Sequence, residues 1–280
     1  MKSLESWGRY PRVKPGTQRV LPFSWRTERL PAAEEGSSLL PYGKGRSYGD
    51  GCLNVGHALL PTTGLDRFIE FDPSTGLLTC EAGVSLEDIL RLVVWQGWFL
   101  PVTPGTKFVT VGGAIANDVH GKNHQAAGTF GRHVRRFELL RSDGTRRECS
   151  PTENADWFAA TIGGLGLTGL ITWAQLQLVR MHNPFILQET VPFGSLEEFF
   201  QLNLESERDF EYTVAWIDCL ARGRKLGRGL YYRGNPAPPQ WEALPLARSH
   251  LTRRGGLAVP FNLPSFTLNR LTVSAFNFLY

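Results

Sequence analysis

Between Tyr42 and Gly51 the chain reads Tyr-Gly-Lys-Gly-Arg-Ser-Tyr-Gly-Asp-Gly, four glycines in ten residues interleaved with Lys44, Arg46 and Tyr48. Successive backbone amides in such a loop converge into an anion-binding concavity, and two basic side chains add charge. A diphosphate is the natural guest. A flexible surface turn is the plainer reading, but it has no need of basic residues and tyrosines at this spacing.

A second constellation is Pro104-Gly-Thr106 followed by the run from Thr110 to His124, Thr-Val-Gly-Gly-Ala-Ile-Ala-Asn-Asp-Val-His-Gly-Lys-Asn-His. Both stretches read as glycine-bearing loops. Small residues at Gly112, Gly113, Ala114 and Ala116 let a flat ring or a phosphate lie against backbone. His120, Lys122 and His124 offer polar groups at one edge. The two histidines stand four apart, as on a zinc-binding helix, but Gly121 and the absent glutamate rule out that motif and no metal is expected. A structural role remains the alternative for His124, as for His57, His133, His182 and His250.

Gly164-Leu-Gly166-Leu-Thr-Gly169 matches the dinucleotide fingerprint GxGxxG, which needs a strand before it and a helix after it. Here the order is inverted. A helix-like segment precedes it and a strand-like one follows, so a Rossmann site is not expected.

These residues must be positioned by flanking elements. Ser38–Pro41 reads as a short strand leading into the first glycine loop. Leu65–Phe71 and Leu77–Ala82 flank a turn sequence and predict a hairpin, as do Val134–Leu140 and Arg146–Cys149. Ser85 and Asp88 form a capping box for a helix carrying Leu86, Ile89, Leu90, Val93 and Val94, ended by Gly97. Asp156–Ile162 and Leu196–Ser206 predict helices. Leu170–Arg180, Tyr212–Asp218 and Gly229–Tyr232 predict strands, and structure signals weaken from Gly234 onward. A change of texture near Met181–Pro192 marks a domain boundary. The expected division is a lead-in over residues 1–34, a nucleotide-binding domain over 35–182 and a further domain over 183–280, all of the α+β class.

The 280-residue chain is 42% hydrophobic and 20% charged, which suffices for a sizeable core. Its formal charge of +4 conceals an asymmetry: residues 1–218 carry a net −4, and residues 219–280 a net +8 with Glu242 the one acid. That block suits an anionic partner such as a phosphate, a membrane surface or a nucleic acid, unless its counter-charge lies elsewhere. Cys52, Cys80, Cys149 and Cys219 show no CxxC spacing, and reduced thiols in the cytoplasm are expected. No apolar run approaches a membrane span, which leaves peripheral membrane contact open. The chain stops on Phe276-Asn-Phe-Leu-Tyr280, an apolar end that predicts either a fold continuing beyond it or a partner there.

Taken in order, GKGRSYGD, PGT, TVGGAIANDVHGKNH, GTFGRHVR and GGLGLTGLI resemble the vanillyl-alcohol-oxidase, or PCMH, type of FAD-binding domain. The branch most like it contains decaprenylphosphoryl-ribose oxidases, with sugar-lactone and alditol oxidases more distant. The resemblance spans roughly residues 35–232. It implies a two-subdomain FAD-binding domain followed by a substrate domain on an antiparallel sheet, here incomplete. Pro41, Tyr42, Gly43, Lys44, Gly45, Arg46, Ser47, Tyr48, Gly49, Asp50 and Gly51 would match the pyrophosphate loop. Gly105, Thr110, Val111, Gly112, Gly113, Asn117, Asp118, Val119, His120 and Ile171 would match further cofactor contacts. Tyr48, His120 and Lys122 would face the substrate side of the flavin, and Trp216 would belong to the substrate wall.

Relatives that attach FAD covalently use a histidine where this chain has Arg46. A guanidinium stays protonated and cannot serve as that nucleophile, so non-covalent FAD is expected. The implied reaction oxidises a secondary alcohol of a sugar, sugar lactone or polyprenylphosphoryl sugar, with hydride passing to flavin N5; a reductase could then be a partner. A base must titrate near working pH, which suits histidine or lysine better than tyrosine. His120 is expected to orient the substrate and Lys122 to hold an anionic group, while the base itself could lie outside these residues. Two other readings stand beside it: an FAD-binding fragment awaiting a partner or its missing portion, and an anion- or nucleic-acid-binding module. No nucleic-acid motif supports the last.

Overall fold

Ser85 ends an extended segment and its hydroxyl accepts the Asp88 amide, so the chain turns into a helix at the predicted point. In the computed structural model, which describes residues 4–32, 34–241 and 264–279, the chain divides into two compact units, Met1–Met181 and His182–Tyr280. Both mix helices with antiparallel sheet.

The first unit begins with strands β1 (Arg19–Val20), β2 (Leu39–Tyr42) and β3 (Ala58–Pro61), which form a parallel sheet in the order β1-β3-β2. The hairpin of β4 (Phe68–Asp72) and β5 (Leu77–Glu81) follows, then helix α1 (Leu86–Val93), whose last turn tightens and ends at Gly97. A short strand β6 (Trp98–Phe99) leads to helices α2 (Val111–Ala116) and α3 (His124–Ala127). The second hairpin, β7 (Val134–Leu140) with β8 (Arg146–Cys149), precedes helix α4 (Ala155–Thr161) and strand β9 (Leu170–Gln177). β10 (Val179–Arg180) pairs back onto β6.

Strands β4-β5-β9-β7-β8 make a five-stranded antiparallel sheet in that order. Its three interior strands carry the packing, with Val134, Phe137 and Leu139 of β7 in the core. Leu78 and Cys80 of β5 and Ala174 and Leu176 of β9 are buried in the same apolar cluster as Leu86, Ile89 and Val93 of α1 and Val111, Ala114 and Ile115 of α2. Each large aliphatic side chain so buried contributes about 1.5–3 kcal/mol of transfer free energy. A smaller cluster gathers Phe23, Leu65, Leu140 and Leu170, so the segment before β2 supplies a core residue as well as a lead-in.

Two readings need correction here. The stretch 110–116 is a capped helix, not a loop. Thr110 accepts the Gly113 amide, and the buried faces of Val111, Ala114 and Ile115 outweigh the poor helix propensity of two glycines. The long strand expected to Arg180 breaks at Leu178, which is buried in the core between β9 and β10.

The second unit holds β11 (Ile186–Phe193), helix α5 (Leu196–Asp209), β12 (Tyr212–Ile217) and β13 (Gly229–Pro236) in an antiparallel sheet ordered β11-β13-β12. β13 runs past Gly234, where the sequence signals had faded. Asp218, at the end of β12, accepts a forked bond from Arg228 at 2.8 and 3.0 Å and a third from Asn277 of the helix Arg270–Leu279. The final residues of the apolar end and the basic residues His250, Arg253 and Arg254 lie outside the described residues. No helix among the described residues is long and apolar enough to cross a membrane.

Candidate cofactor cleft

Three backbones cross beneath one cleft in the first unit. The turn after β5 passes so close to the Thr62 carbonyl that any side chain at Gly83 would overlap it, and only glycine fits. The Gly112 amide donates to Ala82 O at 2.8 Å and the Val111 amide to Val84 O at 2.9 Å, which lashes the start of α2 to that turn. A Cβ at Gly43 would stand 2.5 Å from the Thr110 hydroxyl, so the first glycine loop crosses directly over the same helix end. The third glycine stretch closes the other side: Gly163 donates to Ile115 O at 3.0 Å and Leu165 to Ala116 O at 2.8 Å.

The result is a cleft of about 710 Å³. That volume lies within the range of small-molecule and cofactor sites, roughly 300–1,000 Å³. Its lining includes Pro41, Gly43, Lys44, Gly45, Arg46, Ser47, Tyr48, Asp50 and Gly51 of the loop leaving β2. It also includes Gly105, Thr110, Gly112, Gly113, Asn117, Val119, His120 and Ile171. The two glycine constellations and the end of the third are therefore brought together by the fold.

Other expected residues stand elsewhere, each for a physical reason. Tyr42 is buried beneath the loop, its hydroxyl donating to the Glu5 carbonyl at 2.6 Å; burial, then the neighbouring Cys52 charge, raise its pKa. Val111 points from α2 into the core. Asp118 turns away to accept the Gly131 amide at 2.8 Å, which fixes the chain after α2. Gly49 sits at the exposed loop tip and Lys122 is exposed beyond the cleft. Trp216 is half-buried on β12 of the second unit.

The rim is polar and cationic. Lys44 and Arg46 are both exposed, and the Arg46 guanidinium lies 5.0 Å from the centre of the Trp7 ring. Tyr48 is 80% exposed. His120 meets His124 edge-on with ring centres 5.7 Å apart. Asn117 is held by a bond from its side-chain amide to Gly113 O at 2.8 Å. Among the described residues no group of three His, Cys, Asp or Glu side chains gathers into a metal site.

Several lining residues escaped the sequence reading. Trp7 carried no motif, and Ala82 belonged to a hairpin. Leu165, Gly166 and Gly169 belong to the motif GGLGLTGLI, which supports the resemblance but yields no named contact, although its glycine content is a usable signal of close backbone approach. The half-buried Cys52 also lines the wall, and burial pushes its thiol pKa up.

Comparison with known proteins agrees with this geometry. Residues 30–150 match the family model of the FAD binding domain. The chain is 38% identical over 243 residues to decaprenylphosphoryl-beta-D-ribose oxidase of Mycolicibacterium smegmatis, covering 84% of this chain and 52% of that relative. It is 31% identical over 155 residues to L-gulonolactone oxidase of Mus musculus, covering 55% and 34%. It is 30% identical over 111 residues to Delta(24)-sterol reductase of Rattus norvegicus, covering 40% and 22%. The chain thus spans about half the length, 52%, of the first of these relatives.

Proposed function

We propose that this chain, which carries an FAD-binding domain of the PCMH type with FAD as its cofactor, serves an oxidoreductase acting on a secondary CH–OH group of a sugar-type substrate. The polyprenylphosphoryl-ribose and sugar-lactone classes are the substrates in view, because two of the relatives are named as oxidases of such compounds. One observation carries the reading: a single cleft collects both glycine constellations, and at Gly43 and Gly45 in its lining an added Cβ would overlap the Thr110 hydroxyl or the Glu5 carbonyl.

That floor fits the cofactor. Glycine amides of the loop 43–51 and the cations Lys44 and Arg46 suit a diphosphate, and the small residues Gly112, Gly113 and Ala116 leave a flat wall for a ring. In this reading the domain is a two-part cradle, one part built on β1-β3-β2 and the other on the five-stranded sheet. Bound FAD supplies a hydride acceptor at N5. The chain's own residues then bind and orient. Arg46 holds anionic oxygens and forms no covalent bond to the cofactor, which is retained non-covalently. His120, at the cleft edge, orients the alcohol hydroxyl and is placed to take its proton. Tyr48 and Lys122 serve the substrate side, Lys122 by attracting an anionic group, and Trp216 contributes to the substrate wall of the second unit. The positive block 219–280, net +8, favours an anionic surface or substrate, and electrons pass on to a reductase partner or another acceptor.

Purified protein should be yellow, and anaerobic addition of a sugar-type secondary alcohol should bleach it. A colourless protein that takes up no FAD would sink the cofactor reading. A yellow one that no such alcohol bleaches would sink the substrate class.

A further inference from the structure

We propose that the N-terminal arm, residues 4–10, is a retaining strap of the cofactor cleft and that Trp7 within it is a positioning residue for Arg46. The proposal rests on the FAD site above and not on the alcohol chemistry. Nothing in the arm's sequence resembles a nucleotide-binding motif, yet the structure ties it to the start and the middle of the glycine loop, and through Gln18 to the chain just after it.

Three attachments make the strap. At the start of the loop, Tyr42 donates its hydroxyl to Glu5 O at 2.6 Å. In the middle, the Trp7 amide donates to Ser47 O at 3.0 Å. Just past the loop, the Gln18 side chain bridges, donating to Leu4 O at 3.1 Å and accepting the Asn54 amide at 3.0 Å. Gly45, with φ +60°, lets the arm lie close, since a Cβ there would overlap both the Tyr42 hydroxyl and the Glu5 carbonyl.

The Trp7 ring is 51% exposed and lines the cleft. Its face lies 5.0 Å from the Arg46 guanidinium, and among the described residues no carboxylate pairs with Arg46. An aromatic face holds a guanidinium by its plane and leaves the edge N–H groups free. A carboxylate partner would instead occupy those donors and cancel the charge. The arrangement therefore presents a fixed, uncompensated cation to an anionic ligand. The diphosphate of FAD has that chemistry.

The test is titration of FAD into the apo form of the full chain and of the variants Trp7→Ala, Trp7→Phe, Arg46→Ala and the Trp7→Ala/Arg46→Ala pair. Trp7→Ala should weaken FAD binding roughly two- to fivefold and weaken inorganic diphosphate binding in parallel, while Trp7→Phe should stay within about twofold of wild type. The double variant should be no worse than Arg46→Ala alone, because the ring acts through that arginine. Tyr42→Phe, which removes one hydroxyl, should speed FAD release with the fold intact. Unchanged FAD affinity in Trp7→Ala, or additive Trp7 and Arg46 effects, overturns the positioning role. Unchanged release in Tyr42→Phe overturns the strap. A wild-type chain that binds no FAD fails the cofactor reading, a result distinct from variants that bind as wild type does.

Discussion

Arg67 and Glu81 hold one another by side chain and backbone together. The Arg67 guanidinium donates to Glu81 Oε2 at 3.0 Å, the Arg67 amide donates to the same oxygen at 3.1 Å, and the Glu81 amide donates to Arg67 O at 2.9 Å. The pair fixes the end of β5 one residue before Ala82, in the cleft wall. Its two members are unequal. Glu81 is 3% exposed at its side chain, whereas Arg67 is 38% exposed, lies over the Trp25 ring and also donates to Ser24 O and Gly64 O.

Arg67→Ala is therefore the more damaging change, because it strands a buried carboxylate. We expect a loss of about 2–3 kcal/mol, below the range for fully buried pairs because water screens the exposed arginine. Glu81→Gln keeps an acceptor and should cost about 1 kcal/mol. Urea unfolding midpoints check both values, and equal losses would contradict the asymmetry.

Much of this fold could be read from the chain because its signals were local. The hairpin Val134–Leu140 with Arg146–Cys149 was predicted to the residue, since β-prone runs flank Ser142-Asp-Gly144. The Ser85 cap was equally plain. Tertiary effects stayed hidden. Two glycines concealed α2, which forms because its apolar face is buried. β11 is solvent-exposed along most of its length, so it shows no inward-outward alternation, and it exists through pairing with β13. At the cleft, glycine loops announced themselves by composition, whereas Trp7 contributes through contacts with a loop some forty residues downstream.

In the proposed reading Arg46 stands where covalent attachment would need a histidine. Acid or heat precipitation of the loaded protein should consequently leave all flavin in the supernatant. Flavin absorbance in the washed pellet, or a flavin-bearing peptide by mass spectrometry, would contradict non-covalent retention.

Gly112 faces the turn after β5, where an added Cβ would lie 3.1 Å from Ala82 Cβ and 3.3 Å from its carbonyl. Because the backbone here is helical, the constraint is crowding and not a left-handed φ. Gly112→Val should reduce FAD content at least tenfold, on the order of 1.4 kcal/mol or more, through a displaced wall. Far-UV circular dichroism should largely survive. Full flavin loading would mean that this wall does not touch the cofactor.

The cysteines give an independent reading of the cleft, since all four are free. Exposed Cys219 should alkylate first. Cys52, in the cleft wall with its pKa raised by burial, should react slowly at neutral pH and faster as pH climbs through and above the ordinary thiol range. Bound FAD should slow it further. Cys80, pushed up to about 12 by burial and then by Glu81, should stay unmodified until the protein unfolds, as should buried Cys149. Peptide mapping after timed iodoacetamide treatment gives the order, and FAD-independent labelling of Cys52 would contradict the cofactor's placement.

The cleft's lining runs from Trp7 to Ile171, and that span has a consequence for biosynthesis. At about 5–20 residues per second, the ribosome makes the two ends roughly 8–30 s apart. The arm emerges first and finds nothing to fasten. The strand that begins with Leu170 completes the wall and also forms the centre of the five-stranded sheet, so sheet closure and cofactor loading become one late event. A nascent chain halted before Ile171 should bind no flavin, however much of the first glycine loop has left the tunnel. Flavin supply then acts on the completed unit, and a shortage during synthesis should be made good by adding FAD afterwards.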